Sequence, residues 1–504
     1  MNKYKCKRCG YVVTMDEMPA DYICPMCGAT KEDFELINDK LIEDDIEAIV
    51  ESVIESSNEK VDEKIINDNV EDKRVKISDF NPSIMRINEK CINCGQCRKT
   101  CENIENISYN LNICKEPICV GCGQCILNCP SGALVPKYVY RDVKEILDAN
   151  EKIVIALTSP AVRVSMGDHF SMEYGTNVQG KIVNALKKLG FDYVFDTAFG
   201  ADLTIMEEVS ELVNRMNNKK PMPQFTSCCP AWVKYAEIYH PELIENISTC
   251  KSPIGMECAI IKSYFAESKG IDPTKIVTVA ITPCTSKKME AREYVGNIDY
   301  VMTASELSLL LKEEEINLSS LLEEEYDNVL GESTGAGVMF GNTGGVTEAA
   351  MRTLHKMMTG HKPKDDFMEL KPLRGLDGIK ATSIDMDGKK IKVAIVNGIA
   401  NLEELLKNDI YKKFHFIEVM NCKGGCIGGG GQPLCAIPQM NEAIQKRIDG
   451  LYSIDKNKVK RCSYENEQLK KLYSEYLKKP LSEVSERLLH TSFNDKSSLL
   501  KKNL

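Results

Sequence analysis

Five cysteines in three separated segments carry the densest chemistry in this chain. TSCCPAW sets Cys228 and Cys229 side by side, ahead of Pro230 and Trp232. TPCTSKKMEARE places Lys287 and Glu290 three and six residues after Cys284. EVMNCKGGCIGGGGQP places Cys422 and Cys426 just before a run of glycines. Thiolates are soft ligands suited to zinc, copper(I) or iron–sulfur clusters. Four of the five suit one iron–sulfur cluster, and the fifth is left over. Each segment follows a short apolar run that reads as a buried strand: 224–225, 276–281 and 414–419. A fourth such run, 153–157, leads into TSPAVR. Ligands of open α/β sheets gather at the carboxyl ends of strands, so loops far apart in sequence are expected to converge on one metal site.

Two further modules precede these segments. CINCGQCRKTC supplies Cys91, Cys94, Cys97 and Cys101, and CVGCGQCILNCP supplies Cys119, Cys122, Cys125 and Cys129. This pair resembles a ferredoxin with two 4Fe–4S clusters, in which the fourth cysteine of each run ligates the other cluster. The resemblance assigns Cys91, Cys94, Cys97 and Cys129 to one cluster, and Cys119, Cys122, Cys125 and Cys101 to the second. Glu102 stands where a proline is usual, and the insert after it is long. At the N-terminus, CKRCG (Cys6, Cys9) and CPMCG (Cys24, Cys27) are two thiolate knuckles that present four sulfurs tetrahedrally. The module is similar to a short rubredoxin, with Tyr4, Tyr11, Tyr22 and Phe34 as its aromatic core. Iron and zinc both fit it, and without metal so small a module has little core to fold on.

The three large-domain segments resemble the signatures of the FeFe-hydrogenases, TSCCP, PCxxKxxE and ExMxCxxGCxxGGG, and occur here in the same order. The resemblance runs from about Asn81 to the C-terminus. It implies that Cys229, Cys284, Cys422 and Cys426 hold a 4Fe–4S cluster, and that Cys426 also bridges to a two-iron subsite carrying CO, cyanide and a dithiolate amine. Together these form the H-cluster. Cys228 then relays protons, with Glu208, Ser248 and Glu211 beyond it and Arg215 near the outlet. Glu208 and Glu211 lie three apart on an expected helix and share a face. Lys287 pairs with a cyanide ligand, oriented by Glu290. Pro160, Ala161, Ile254, Thr282, Phe340 and Met420 line the cofactor. The glycines at 428–431 are expected to let backbone pass close to it. GAGVMFG (Gly335, Gly337, Gly341) fails the dinucleotide spacing and reads as close packing.

Four residues depart from the family's commonest pattern. Ala161 replaces a serine, Thr282 a methionine, Ile254 a glutamine and Cys250 an alanine. Groups behind the metal ligands tune potential and reactivity, so these changes bear on catalytic bias and oxygen tolerance.

The elements that must position this chemistry need several domains, because 504 residues exceed one compact core. The expected organisation is a rubredoxin-like domain (1–37), an acidic helix and linker (38–80), a small α+β ferredoxin-like domain (81–138), an α/β catalytic domain of two lobes with the H-cluster between them (139–442) and a C-terminal extension similar to a small subunit (443–504). Ile42, Ile46, Ile49, Val50 and Val53 recur at helical spacing within the second of these. Lys+Arg of 64 against Asp+Glu of 74 gives a net charge of −10, which argues against nucleic acid and anionic membranes as partners. MNKYKCKRCG carries no apolar export signal, and 22 cysteines then argue for metal sites in a reducing compartment. A cytoplasmic location is expected. Cys114, Cys250, Cys258, Cys435 and Cys462 belong to no motif and read as small buried apolar residues.

The resemblance implies interconversion of dihydrogen with protons and electrons. It also implies an external electron carrier such as ferredoxin, and maturation proteins that supply the two-iron unit. A hydrogen or redox sensor usually carries an added signalling domain, and none is visible in the sequence. Iron–sulfur scaffold relatives lack the two-iron site and lose residues kept here, notably Cys228, Lys287 and Cys426.

Overall fold

The computed structural model describes residues 2–7, 12–23, 29–37, 73–104, 107, 118–294, 297–365, 367–376, 378–435 and 437–503. Residues 1–71 and 72–504 form two separate compact units. In the first, β1 (Asn2–Cys6) pairs antiparallel with both β2 (Val12–Met15) and β3 (Phe34–Ile37). Met18 and Ala29 are buried there, and Tyr22 meets Phe34 edge to face at 5.5 Å. Cys9, Cys24, Cys27 and Tyr11, the helix expected from Ile42 to Val53 and Cys114 lie outside the described residues, and so does the side chain of Cys6.

The second unit is built on two four-stranded sheets. The first runs β10 (Tyr300–Thr303), β9 (Ile276–Thr282), β6 (Ile153–Thr158), β7 (Tyr193–Asp196), all parallel. The second runs β11 (Ile379–Met386), β12 (Lys389–Asn397), β13 (Phe416–Met420), β8 (Gln224–Phe225), with β11 antiparallel and the rest parallel. Parallel strands are covered on both faces and read as continuous apolar runs. IVIALT and IVTVAIT are such runs, and their alternate side chains feed two cores. Ile155, Leu157 and Ala280 pack with Phe195 and Phe265 on one face, while Val154, Ala156, Val279 and Ile281 pack with Val183 and Leu186 on the other. In the second sheet Val393, Ile395 and Phe416 face one core, and Ala394, Val396 and Ile417 face another with Trp232.

Helix α1 (Thr197–Asn218) links the sheets. It starts directly after β7, capped by the Asp196 carboxylate, which accepts from the Ala198 amide at 3.0 Å. Phe199 and Leu203 join the first sheet's core, and Ala201, Ile205 and Val209 join the second's. α2 (Pro230–Tyr239), α3 (Pro253–Ile260) and α4 (Ser286–Glu293) each begin beside one of the cysteine or cofactor-lining segments.

The module with eight cysteines forms a short antiparallel pair, β4 (Ile84–Arg86) with β5 (Leu134–Pro136), and the helices Gln96–Ile104 and Gln124–Leu127. Its Cys101, Cys122 and Cys125 belong to the same core as Trp232, Ile417 and Val419. The linker expected up to residue 80 ends sooner: Val75 is buried in that core, and its amide donates to Cys97 Sγ at 3.3 Å. The boundary expected after residue 442 falls inside the helix Met440–Asn457. The chain beyond this helix returns to α1, where Tyr473 Oη donates to Glu207 Oε1 at 2.7 Å and Asn466 Nδ2 to Asp202 Oδ2 at 3.1 Å.

Candidate metal centre

Four strands deliver the site, two from each sheet. β6 ends at Thr158 and runs into Ser159, Pro160 and Ala161. β9 ends at Thr282, before Pro283 and Cys284. β13 ends at Met420, before Cys422 and Cys426, and the turn after β8 carries Cys228 and Cys229. These loops line one cavity. Its wall holds Cys228, Cys229, Cys284, Cys422 and Cys426, together with Lys287, Pro160, Ala161, Ile254, Thr282, Phe340 and Met420. Glu290, also expected at the site, reaches it through Lys287. Ser159, Thr197, Pro253, Pro283, Asn421 and Gly425 line it too. Sequence reading does not single these out, although all but Thr197 sit beside a residue that it does.

The thiols are mutually close. Burial and then the Cys229 thiol push Cys284 up to about 12, and Cys426 is raised by burial, Cys284 and Cys229. Concentrating sulfur ligands in a dry pocket disfavours free thiolates until a cation neutralises them. The lysine supplies fixed positive charge: Lys287 Nζ lies 2.6 Å from Glu290 Oε2 and donates to the Cys228 carbonyl at 3.1 Å. Burial lowers its pKa while Glu290 and the thiols Cys284 and Cys228 raise it, and the net direction is up. Thr282 Oγ1 accepts from the Cys284 amide at 3.3 Å, so its oxygen faces the loop of a ligand-type cysteine.

Cys228 is buried against the carboxylates of α1. Desolvation raises its pKa first, and Glu208 second. Glu208 is fully buried, and neither of its carboxyl oxygens has a hydrogen-bond partner among the described residues. Burial, then the charge of Glu211, lifts it from 4.5 to about 8, while Ser248 and the Ser227 amide act against that rise. Ser248 Oγ donates to Glu211 Oε2 at 2.8 Å. Arg215 clamps Glu211 Oε1 with Nη2 at 2.7 Å and Nε at 3.0 Å. It also donates to the carbonyls of Glu245 and Ile247, so this guanidinium is buried and fully engaged. Glu211, Arg215, Thr249 and His490 border a cleft open to solvent.

The glycine run does something other than expected. Of 428–431 only Gly429 lines the cavity. A Cβ on Gly430 would lie 2.5 Å from Gly123 Cα, and one on Gly429 would lie 2.4 Å from the Pro283 carbonyl. Gln124 Nε2 donates to the Gly428 carbonyl at 2.9 Å, and Thr285 Oγ1 to the Gly121 carbonyl at 2.6 Å. The run therefore seats the Cys119–Cys125 loop against the cavity wall. In that loop the Cys125 thiol is raised by burial and by its neighbours Cys101, Cys119 and Cys97. GAGVMFG packs as expected: a Cβ on Gly337 would lie 2.2 Å from the Ala198 carbonyl, and Gly341 lines the cavity.

Comparisons with known proteins agree with this geometry. Residues 152–430 match the family described as iron only hydrogenase large subunit, C-terminal domain, and 441–496 match iron hydrogenase small subunit. Residues 4–35 match the rubredoxin-like domain of rubrerythrin. The chain is 40% identical over 448 residues to iron hydrogenase 1 of Clostridium pasteurianum, covering 84% of this chain and 78% of that one. The chain belongs to the iron-only, or FeFe, hydrogenases. Solved FeFe-hydrogenase HydA1 from Chlamydomonas reinhardtii superposes with a TM-score of 0.62 at 37% identity, covering 71% of this chain and 99% of that one. A cytosolic Fe–S cluster assembly factor of Danio rerio is 30% identical over 378 residues, covering 71% of this chain and 90% of that one.

As an FeFe-hydrogenase the protein interconverts dihydrogen with protons and electrons at an H-cluster and carries accessory iron–sulfur clusters and a metal site in its rubredoxin-like head. The five thiols and the cationic Lys287 gathered on one cavity wall fit an anionic cluster. Among the described residues, no helix is long and apolar enough to cross a membrane.

Proposed function

We propose that Cys229, Cys284, Cys422 and Cys426 hold the 4Fe–4S part of the H-cluster, and that Cys228, Glu208, Ser248, Glu211 and Arg215 form its proton route. The observation that carries this reading is the single cavity in which all five thiols, Lys287 and the six other expected lining residues meet. When bound, the H-cluster supplies the metal centre at which dihydrogen is cleaved or formed. Lys287 anchors it as a charged donor, which a neutral side chain cannot replace. Cys228 can donate weakly and lies against Glu208. Glu208, neutral below about pH 8, accepts and releases a proton without leaving a stable buried charge. Ser248, close enough to Glu208 to lower its pKa, donates its hydroxyl to Glu211, which borders the solvent cleft. Arg215 holds the Glu211 carboxylate in place.

The two sheets correspond to the two lobes of the catalytic domain, and residues 81–138 act as a ferredoxin-like relay. Its clusters are held by Cys91, Cys94, Cys97 and Cys129, and by Cys119, Cys122, Cys125 and Cys101. The head holds iron or zinc through Cys6, Cys9, Cys24 and Cys27. A soluble electron carrier such as ferredoxin, maturation proteins for the two-iron unit and a cytoplasmic setting complete the reading. The likeness to Fe–S assembly factors favours a second one, a scaffold without the two-iron unit, against which Cys228 and Lys287 stand in the cavity wall. Infrared spectroscopy of the matured protein decides between them. Sharp CO and cyanide bands are expected, and their absence after reconstitution overturns the proposal.

A further inference from the structure

Cys250, one of the four departures from the family pattern, has no part in the cavity. It sits in a short antiparallel bridge opposite His490. The flanking residues make the hydrogen bonds: Lys251 N donates to Leu489 O at 2.8 Å, and Thr491 N donates to Thr249 O at 2.7 Å. Cys250 and His490 are thus a directly opposed pair between hydrogen-bonded neighbours, where side chains on one face come closest. Glu211 reaches the same point from α1. One ligand atom each from Glu211, Cys250 and His490 lies within 4.8 Å of the others.

We infer that Glu211, Cys250 and His490 form a binding site for a zinc ion, and that the bound ion closes the proton route by taking Glu211 as a ligand. Thiolate, imidazole and carboxylate are the three ligand types zinc accepts, and three protein ligands with a water in the fourth position are a recurrent zinc arrangement. The solvent cleft bordered by Glu211 and His490 provides access and the water. The histidine is already oriented: its Nε2 lies 3.3 Å from Glu207 Oε2, the carboxylate–histidine pairing that fixes a ligating ring, while Nδ1 faces Thr249 Oγ1 at 2.8 Å. Glu211 and Glu207 lie beside the Cys250 thiol, and their carboxylates favour a cation there. Arg215 on Glu211 Oε1 opposes it, so an affinity below that of closed structural zinc sites follows. The thiol proton is released to the cleft as the Zn–S bond forms.

The site stands on geometry alone, and the gating rests on the proton route proposed above, so the two are tested separately. Matured full-length protein, freed of adventitious metal, is titrated with zinc against a chromophoric chelator. It is expected to bind one more equivalent than Cys250→Ala and than His490→Gln. Zinc K-edge absorption is expected to show a sulfur contribution that Cys250→Ala loses. Equal zinc uptake by all three proteins overturns the site. At saturating zinc, dye-linked turnover of the native enzyme is expected to fall at least about tenfold, as loss of a positioned proton carrier does. Chelation should restore it, with the infrared and cluster absorption bands unchanged throughout. Each variant's rate is compared with its own zinc-free rate, and Cys250→Ala should lose less than about twofold, the protein having lost this zinc site. Zinc bound at Cys250 with turnover unaffected overturns the gate. Glu211→Gln assayed without zinc tests the route itself, and full turnover there would remove the route while leaving the zinc site in place.

Discussion

Cys228 and Cys229 are chain neighbours with opposite fates in the proposed chemistry. Cys228→Ala should leave iron content and cluster spectra intact while turnover falls about 10²–10⁴-fold, the usual contribution of a positioned proton donor. Cys229→Ala should instead lower iron content. Near-native turnover in Cys228→Ala would sink the proton route. Glu208→Gln should resemble Cys228→Ala in rate but differ in stability. The folded state holds the Glu208 proton more tightly than the unfolded chain, so stability is lost as pH rises from about 4.5 through about 8. Glu208→Gln removes that loss, and melting curves of the two proteins should diverge across this window, with the variant more stable at its upper end. Ala161 and Thr282 line the cavity, and in the proposed reading they bear on the cofactor itself. Ala161 has no side-chain donor for a cyanide, and the Thr282 oxygen is turned to the Cys284 amide. A hydrogen bond to a charged group is worth about 1.5–3 kcal/mol, enough to shift populations tenfold. Ala161→Ser with Thr282→Met should change the ratio of hydrogen oxidation to evolution and move the infrared bands; unchanged values for both would clear these positions of setting the bias.

At the scale of elements, the strands were legible because each is a short run of buried apolar residues, and the five cysteines of the candidate site were legible because they follow three of those runs within a few residues. Ile276–Thr282 and Phe416–Met420 match the expected strands to within two residues. The glycine run was legible as a close approach but not as to what approaches, since Gly430 and Gly123 are distant in sequence and neither loop carries a periodicity that reveals the other. The same holds for Cys250 and His490, whose pairing depends on the C-terminal segment returning to α1. The Gly430–Gly123 contact carries its own expectation. A methyl group at 2.5 Å from backbone cannot be absorbed by a rotamer change, and overpacking of this kind costs about 1–3 kcal/mol. Gly430→Ala should lower the melting temperature and slow electron delivery from the Cys119–Cys125 loop more than it alters the infrared bands of the H-cluster. Rapid-freeze spectroscopy of cluster re-reduction measures that delivery, and native kinetics in a destabilised variant would show that the contact is structural only.

The whole molecule divides unequally. Every thiol of the candidate metal centre, the proton route and the eight-cysteine module lies in the unit of residues 72–504, which has its own cores. The three-stranded head has its own sheet and its own buried Met18 and Ala29. Catalysis with an artificial dye, which meets clusters directly, therefore has no need of the head. A chain beginning at Asp72 should keep its 4Fe–4S content and dye-linked turnover within about twofold, because Val75 and the residues after it complete the larger unit's core. The natural electron carrier is a different matter. If Cys6, Cys9, Cys24 and Cys27 hold iron, the head adds a one-electron centre, and rubredoxin-type centres lie above low-potential ferredoxin clusters. Electrons then run downhill from hydrogen to the head, and truncation should depress hydrogen uptake with a protein acceptor while sparing evolution. Metal analysis of the full chain is the deciding measurement. Iron in the head with a truncation-sensitive uptake rate supports an electron-transfer role, whereas zinc, which has no redox chemistry, rules that role out and leaves the head as a docking or structural module.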